Sequence, residues 1–237
     1  MDAIKKRLQE IDGSDVLDVA AGRGGSTAEI AKLLKSYDSL IGVDYVPASL
    51  AEARGNSENG ACFAVMDAAR LAFADSSFDT VTIVNSLHHL RDVDGTLADM
   101  YRVTRPGGRL IFFEMIRDDP DERQLTHILM HHWWAAIDSR AGISHNETLS
   151  RREILGIAGR LRLTEVEVFE QHEAPEDPFD PKLLGDLSKI IDEYPDKIKD
   201  HPDHDFLAEE GARIRARLHK VGLAWATGLV VMGIKRN

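Results

Sequence analysis

Cysteine is almost absent from this 237-residue chain, which contains only Cys62. A single thiol cannot form an intrachain disulfide, which fits the reducing cytosol. Cys62 lies in an apolar stretch, residues 61–66, and we expect a buried, inert thiol. No apolar run approaches the roughly 20 residues of a membrane span, and the charged first ten residues lack the apolar stretch of a signal peptide. We therefore expect a cytoplasmic protein without a membrane span.

Positive charge is also scarce. The chain has 29 Lys and Arg against 40 Asp and Glu, a net charge of -11. Such a chain is repelled by nucleic-acid phosphates and anionic membranes unless its basic residues cluster. The densest basic stretch, residues 213–220, alternates with apolar residues and follows Glu209 and Glu210, which is typical of a solvated helix face. This balance disfavours nucleic acid as a partner and favours a small molecule.

Apolar runs alternate with helical patterns through the first half of the chain. The apolar runs predict five strands: Val16–Val19, Ser39–Val43, Cys62–Met66, Phe78–Val84 and Arg109–Glu114. The segments between them predict helices over Ser26–Lys35, Pro47–Ala53 and Asp92–Val103, and a turn at Arg105–Gly108. This alternation indicates βαβ units and a parallel α/β sheet. Polar residues at the strand ends then share the edge where open α/β sheets bind ligands: Asp18, Asp44, Asp67, Asn85 and Glu114.

The alternation weakens after Glu114. Helical spacing predicts helices over Asp121–Arg140, Arg151–Arg160, Lys182–Glu193 and Asp203–Lys220, and two further strands over Leu161–Phe169 and Gly228–Ile234. We therefore predict one domain over residues 1–237. Its core comprises residues 14–114 with strands near 161–170 and 226–235, and its cap elements comprise residues 115–148 and 171–222.

A glycine-rich turn follows the first strand, with the sequence Asp-Val-Ala-Ala-Gly-Arg-Gly-Gly beginning at Asp18. Small residues let a ligand approach the backbone, and such a turn serves a dinucleotide, a phosphate or S-adenosylmethionine (SAM). A carboxylate just before the glycines repels a pyrophosphate but attracts the cationic methionine end of SAM. Asp44 is placed to accept hydrogen bonds from a ribose, as in nicotinamide enzymes too, and Asp67 to accept from an adenine amine.

Five segments in this order resemble the class I SAM-dependent methyltransferases, in the branch with the ubiquinone/menaquinone-biosynthesis C-methyltransferases. The segments are Val16–Gly24, Ile41–Asp44, Val65–Ala68, Phe78–Val81 and Arg105–Leu110. The family usually has glycine where Ala20 stands. The resemblance implies a Rossmann-like three-layer α/β sandwich. Its sheet has seven mostly parallel strands with the last antiparallel, and carries helical cap insertions.

The resemblance also implies SAM as cofactor and S-adenosylhomocysteine as product. It assigns the cofactor site to Asp18, Ala20, Gly22, Gly24, Asp44, Tyr45, Met66, Asp67, Ala68 and Asn85, with Leu71 packing on adenine. Methyl transfer from a sulfonium is an in-line displacement, so a base is needed only when the acceptor carries a proton that it does not lose by itself. The catalytic candidates, at or after strand ends, are His88, His89 and Glu114.

The helix after Asp121 and the loop that follows it supply further candidates. We expect the acceptor to be lined by His127, His131, Trp134 and His145. His127 and His131 are four residues apart and share a helix face, but no carboxylate pattern completes a metal site, so we predict none. The expected function is methyl transfer to a small molecule. A nicotinamide-dependent Rossmann dehydrogenase and a non-enzymatic protein that binds SAM or S-adenosylhomocysteine are the alternatives.

Overall fold

The computed structural model describes residues 3–56, 60–173 and 175–237. They divide into two compact units. The sheet unit comprises the residues up to Glu114 together with Arg152–Gln171 and Leu229–Asn237, and the helical unit comprises Met115–Arg151 and His172–Gly228. That the two act as one methyltransferase domain stays a prediction. In the described part of the chain, no helix is long and apolar enough to cross a bilayer.

Seven strands form one sheet among the described residues. In chain order they are β1 (Asp15–Val19), β2 (Ser39–Asp44), β3 (Cys62–Val65), β4 (Phe78–Val84), β5 (Thr104–Met115), β6 (Leu163–Gln171) and β7 (Gly228–Lys235). Their order in the sheet is β3-β2-β1-β4-β5-β7-β6, with β1 parallel to β2 and β4, and β7 antiparallel. The predicted Rossmann-like architecture is confirmed, including the reversed last strand.

The helices in chain order are α1 (Ala3–Leu8), α2 (Gly25–Leu33), α3 (Pro47–Asn56), α4 (Val93–Val103), α5 (Glu122–Arg140), α6 (Arg151–Ala158), α7 (Pro181–Glu193) and α8 (His204–Val221). Two 3-10 helices lie at Leu87–His89 and Tyr194–Ile198. The sequence predicted every α-helix after α1 to within three residues at each end. It missed α1 and both 3-10 helices, which are too short to show a helical period.

Two sequence predictions in the sheet unit are wrong. The predicted turn at Arg105–Gly108 belongs to β5. There the register jumps from Phe78 opposite Thr104 to Thr80 opposite Arg109, so the extra residues form a bulge and Gly107 takes a φ of 76°. Cys62 is exposed rather than buried, because β3 is the last strand at one edge of the sheet.

Each unit has its own apolar core. In the sheet unit, buried side chains of β1, β2, β5 and β7 pack with others from α1, from the segment after it and from the end of α2. They are Ile4, Ile11, Val16, Leu34, Leu40, Ile111, Val230 and Met232. In the helical unit, buried side chains of α5, α7 and α8 form a second cluster that includes Met130, Trp133, Leu187 and Leu218. The segments predicted as cap elements therefore bury a core of their own.

Helix α5 organises the helical unit. Asp121 caps it by accepting hydrogen bonds from the backbone N–H groups of Arg123 and Gln124, while the Gln124 side chain accepts from the Asp121 backbone. Trp133, near its middle, donates from Nε1 to the carbonyl of Leu207, 2.7 Å away. A Cβ added at Gly211 would lie 2.6 Å from the Trp133 ring, so glycine permits the close approach of α8.

Candidate active site

The glycine-rich loop after β1 turns sharply into α2. Ala20, Gly22 and Gly24 all have positive φ angles, of 58°, 53° and 83°. At Gly24, an added Cβ would also lie 3.0 Å from the Cβ of Ala53 on α3, so both conformation and space favour glycine. At Gly22, an added Cβ would meet no described atom within 4 Å. The backbone at Gly22 is thus open to a ligand, while Gly24 packs the loop onto α3.

Asp18 lies at the end of β1 and is fully buried under this loop. Its Oδ2 accepts hydrogen bonds from the hydroxyls of Ser26 (2.7 Å) and Thr27 (2.6 Å), and its Oδ1 accepts one from Thr82 (3.0 Å). Burial raises the pKa of Asp18, although the three hydroxyl donors oppose that rise. Asp18 therefore ties the start of α2 to β1 and β4. Its predicted contact with the methionine end of SAM stays a prediction.

Asp44 ends β2 and joins two backbone segments. One carboxylate oxygen accepts a hydrogen bond from the N–H of Gly22 (2.9 Å), and the other accepts one from the N–H of Val46 (2.8 Å). The Asp44 carboxylate is therefore fixed beside the open position of the glycine-rich loop. The neighbouring Tyr45 is 57% exposed, and its predicted contact with the adenine stays a prediction.

The segment after β3 lies at the carboxyl ends of the strands, as Asp18 and Asp44 do. Met66 donates its N–H to the carbonyl of Asp44 (3.0 Å), and Met66 and Ala68 are half-buried. Asp67 is exposed and accepts a hydrogen bond from the N–H of Ala69 (2.9 Å). Leu71 is 4% exposed and belongs to the buried core, so its burial gives no support to a contact with adenine. These are the positions where the resemblance implies an adenine, and that assignment stays a prediction.

Asn85 and the 3-10 helix after β4 complete the edge. Asn85 has a φ of 45° and donates its N–H to the carbonyl of Phe113 (2.7 Å). Glu114 is fully buried, and its two oxygens bind the Nδ1 of His88 and the backbone N–H of Leu87, both at 2.8 Å. A neutral His88 that donates from Nδ1 to Glu114 carries its lone pair on Nε2. Two of the three predicted catalytic residues, His88 and Glu114, thus form a buried histidine–carboxylate pair.

The other catalytic candidate, His89, packs its ring against that of His88, with centroids 4.2 Å apart. It is half-buried, whereas His88 is 2% exposed. The contact with Glu114 therefore belongs to His88, and the catalytic role of either histidine stays a prediction.

Two of the predicted acceptor-lining residues have structural partners in the helical unit. His127 accepts a hydrogen bond at Nδ1 from the backbone N–H of Ala226 (2.9 Å), and its ring stands edge-on to Trp225. Burial lowers the pKa of His127 to about 4, so the ring is neutral at pH 7. Trp134 is half-buried against the apolar core of this unit. Contact of either residue with an acceptor stays a prediction.

The other two lining candidates, His131 and His145, come together in the helical unit. Their Nε2 atoms are 3.4 Å apart, and each residue is 6% exposed. His145 also bonds through Nδ1 to an oxygen of Asp138 at 2.8 Å. Asp138, which the sequence placed only loosely relative to the histidines, belongs to this cluster. Its position on α5, seven residues or two turns after His131, was the available signal.

Asp138 has two further partners that the sequence did not indicate. The Tyr194 hydroxyl donates to Oδ2 (2.9 Å) and the Lys197 ammonium donates to Oδ1 (2.8 Å). Burial alone would raise the pKa of Asp138, but the hydrogen bonds from His145, Lys197 and Tyr194 outweigh it and lower the pKa to about 2. Asp138 is therefore a buried carboxylate at physiological pH.

Comparison with known proteins adds an independent line of evidence. Residues 17–112 match the family model of the methyltransferase domain. A demethylmenaquinone methyltransferase of Mycobacterium marinum is 41% identical over 112 residues, which are 47% of this chain and 46% of that protein. This chain therefore spans less than half the length of that relative.

Solved structures resemble the chain over almost its full length. The YcgJ protein of Bacillus subtilis has a TM-score of 0.62 at 19% identity and covers 98% of this chain and 96% of its own. Phosphoethanolamine N-methyltransferase 2 of Haemonchus contortus, solved with S-adenosylhomocysteine, has a TM-score of 0.56 at 19% identity, over 99% of this chain and 52% of its own. At these identities the likeness establishes the fold. The family match by itself assigns residues 17–112 to the methyltransferase domain family.

Proposed function

We propose that this chain binds SAM at the edge of its sheet unit and transfers the methyl group to a small-molecule acceptor. The observation that carries the proposal is the junction of Asp44 and Gly22. Here a carboxylate and an open stretch of backbone stand together at the ends of neighbouring strands, with 2.9 Å between Oδ2 and the N–H nitrogen. In open α/β folds, this edge is where ligands bind.

The residues present fit SAM in shape and charge. The open backbone at Gly22 admits a ligand, Asp44 supplies an acceptor for ribose hydroxyls, and exposed Asp67 supplies one for an adenine amine. Tyr45 offers an exposed aromatic face for the adenine ring. Asp44 would also suit the ribose of a nicotinamide dinucleotide, so it does not separate the two ligands. The preference for SAM is drawn from the acidic residue before the glycines, Asp18, and from exposed Asp67 at the position of an adenine amine.

The proposed reaction has two parts, methyl transfer from SAM and removal of a proton from the acceptor. When bound, SAM supplies an electrophilic methyl group whose bond to sulfur breaks as its bond to the acceptor forms, leaving S-adenosylhomocysteine. If the acceptor carries a proton, His88 takes it at Nε2, and the Glu114 carboxylate, 2.8 Å from Nδ1, stabilises the resulting imidazolium. The Leu87 N–H fixes Glu114 and thereby the ring of His88.

The acceptor is proposed from two observations. The net charge of -11 disfavours polyanionic acceptors such as nucleic acids. The Mycobacterium marinum relative is named for methylating demethylmenaquinone, so a demethylated naphthoquinol is the first acceptor to test.

Calorimetry with SAM, S-adenosylhomocysteine and NAD tests the cofactor. We expect SAM to bind and NAD not to bind. Asp44→Asn should weaken SAM binding by about tenfold or more, because a charged acceptor is worth about 1.5–3 kcal/mol. Asp38→Asn, an exposed aspartate just before the opposite end of β2, is the matched control and should leave affinity unchanged. Tight NAD binding without SAM binding would support a dehydrogenase instead.

Turnover of SAM with a panel of acceptors tests the transfer. With an acceptor that must lose a proton, His88→Gln should reduce the rate by about a hundredfold or more while SAM affinity is retained. Glu114→Gln should shift the pH dependence of the rate. SAM binding without turnover on any acceptor would favour a non-enzymatic binder, and a larger loss in His89→Gln than in His88→Gln would move the base to His89.

A further inference from the structure

The paired histidines of the helical unit have a geometry that the proposed methyl transfer does not use. His131 lies on α5 and His145 in the loop after it, with their Nε2 atoms 3.4 Å apart. Their ring centroids are 4.8 Å apart and their planes are inclined by 79°. Both residues are buried, so this separation is set by packing rather than by two mobile surface side chains.

The separation matches the spacing of two ligands on one metal ion. Two imidazole nitrogens at about 2.0–2.1 Å from a tetrahedral Zn²⁺ lie about 3.3–3.4 Å from each other. We propose that His131 and His145 bind a divalent transition-metal ion, Zn²⁺ in the first place, through their Nε2 atoms. Two histidines and no thiolate suit Zn²⁺ or Co²⁺ better than Cu(I).

The surroundings of His145 support the assignment. Histidines that bind metals almost always donate their other ring N–H to a carboxylate or carbonyl, which fixes the tautomer and aims the lone pair at the ion. Asp138 fills this role, with its Oδ2 at 2.8 Å from Nδ1 of His145. It is itself held by Tyr194 and Lys197. No metal site was predicted from the sequence because Asp138 is placed only loosely relative to the histidines there. In the structure its carboxylate contacts His145 directly.

The same contacts indicate how tightly the proposed site binds a metal ion and how many coordination positions it leaves for other ligands. Two protein nitrogens leave coordination positions for water or for an oxygen or nitrogen of a bound molecule, as in open metal sites. The Lys197 ammonium, 2.8 Å from Asp138, offsets part of the negative charge that would attract the ion. We therefore expect binding weaker than at a closed site with four protein ligands.

Metal titration of the full chain tests the site, and it does not depend on methyl transfer. The protein is purified without a histidine tag, treated with a chelator, dialysed and titrated with Zn²⁺. Co²⁺ in a parallel titration reports the coordination geometry through its visible absorption bands. We expect one Zn²⁺ per chain at micromolar concentrations, tetrahedral Co²⁺ bands, and a higher unfolding temperature with Zn²⁺.

Variants assign the binding to these residues. His131→Ala and His145→Gln should each weaken Zn²⁺ binding at least tenfold and remove the Co²⁺ bands, and Asp138→Asn should weaken it about 10–100-fold. The matched control is His132→Ala, because His132 neighbours His131 but bonds to the hydroxyl of Thr148. Far-UV circular dichroism checks that each variant is folded.

The outcomes are distinct. If wild-type protein binds no Zn²⁺ in the micromolar range, or gains no thermal stability from it, the pair is an ordinary histidine–histidine hydrogen bond and the proposal fails. It also fails if His131→Ala and His145→Gln bind Zn²⁺ as wild type does. Neither result bears on SAM binding, which is measured separately in the presence of chelator.

Discussion

His127 makes the unfolding free energy of the helical unit depend on pH, by an amount that follows from its pKa. Its pKa in the folded protein is about 4, because burial disfavours the charged ring, against an ordinary value of 6.5. The unfolded chain therefore takes up a proton before the folded one does. The contribution of His127 to stability is complete above pH 6.5 and is lost as the pH falls from 6.5 to 4.

The size of the loss follows from the two pKa values. At about 1.36 kcal/mol per unit, a difference of roughly 2.5 units corresponds to about 3.4 kcal/mol at and below pH 4. At pH 5, the same linkage costs about 2 kcal/mol of unfolding free energy relative to pH 8. His127→Asn removes the titration while keeping a side-chain oxygen that can accept from the N–H of Ala226. The variant should be less stable than wild type at pH 8, since it loses the ring contact with Trp225, but it should lose less stability towards pH 5.

Urea unfolding measured by tryptophan fluorescence between pH 8 and 5, in chelator, checks this. All three tryptophans, Trp133, Trp134 and Trp225, belong to the helical unit, so the signal reports the unit that holds His127. The difference between wild type and His127→Asn should shrink by about 2 kcal/mol between pH 8 and pH 5. The exposed His219, changed to Asn, should leave the wild-type pH dependence in place. A constant difference across this range would refute the argument, since it would mean that His127 titrates alike in both states.

Three further substitutions test the structure. Ala20→Gly should change the unfolding free energy by less than about 1 kcal/mol, measured by urea unfolding. Glycine relieves the backbone strain of alanine at a φ of 58°, but this gain is offset by the greater conformational freedom of glycine in the unfolded chain. A larger loss of stability would contradict the left-handed conformation at this position. Thr27→Val removes a hydrogen-bond donor to buried Asp18 and should lower the unfolding free energy of the sheet unit by about 1–3 kcal/mol. Unchanged stability in circular-dichroism melts would show that this hydrogen bond is dispensable. Trp133→Ala should cost about 3–5 kcal/mol by the same melts, and a loss under 1 kcal/mol would mean that Trp133 is not in a packed core.

Elements with a strong local signal could be predicted from the sequence. Phe78–Val84 is a buried strand flanked by polar residues, and its bounds agree with β4 at both ends. Leu125, Leu129, Trp133 and Ile137 recur four residues apart, which is why α5 was predictable. The capping box of Asp121 and Gln124 fixes its start in the structure. The bulge at Arg105–Gly108 was not predictable, because proline and glycine indicate a break in regular structure without showing whether the chain leaves the sheet.

The positions of the candidate site residues at the carboxyl ends of the strands were predictable, and their hydrogen bonds were not. A strand that ends in Asp44 places the carboxylate at the sheet edge, and this follows from the alternation of strands and helices. Its bond to Gly22, 22 residues earlier, depends on the left-handed turn of the loop, which no spacing reveals. Likewise Asp138 meets Tyr194 and Lys197 only because α5 packs beside the 3-10 helix at Tyr194–Ile198, a contact between segments more than 50 residues apart.

The hydrogen bonds of Asp18 and Asp44 give these carboxylates a structural role in addition to their predicted contacts with SAM. Each carboxylate fixes the conformation of the proposed SAM-binding loop, Asp18 through three hydroxyls and Asp44 through two backbone N–H groups. A loop that is already ordered loses little conformational entropy when a ligand binds, so its affinity is higher than that of a loop that must first fold. The affinity lost in Asp44→Asn therefore has two sources, a missing acceptor and a looser loop. Thr27→Val separates them, because it loosens the same loop at the start of α2 while leaving the Asp44 carboxylate in place.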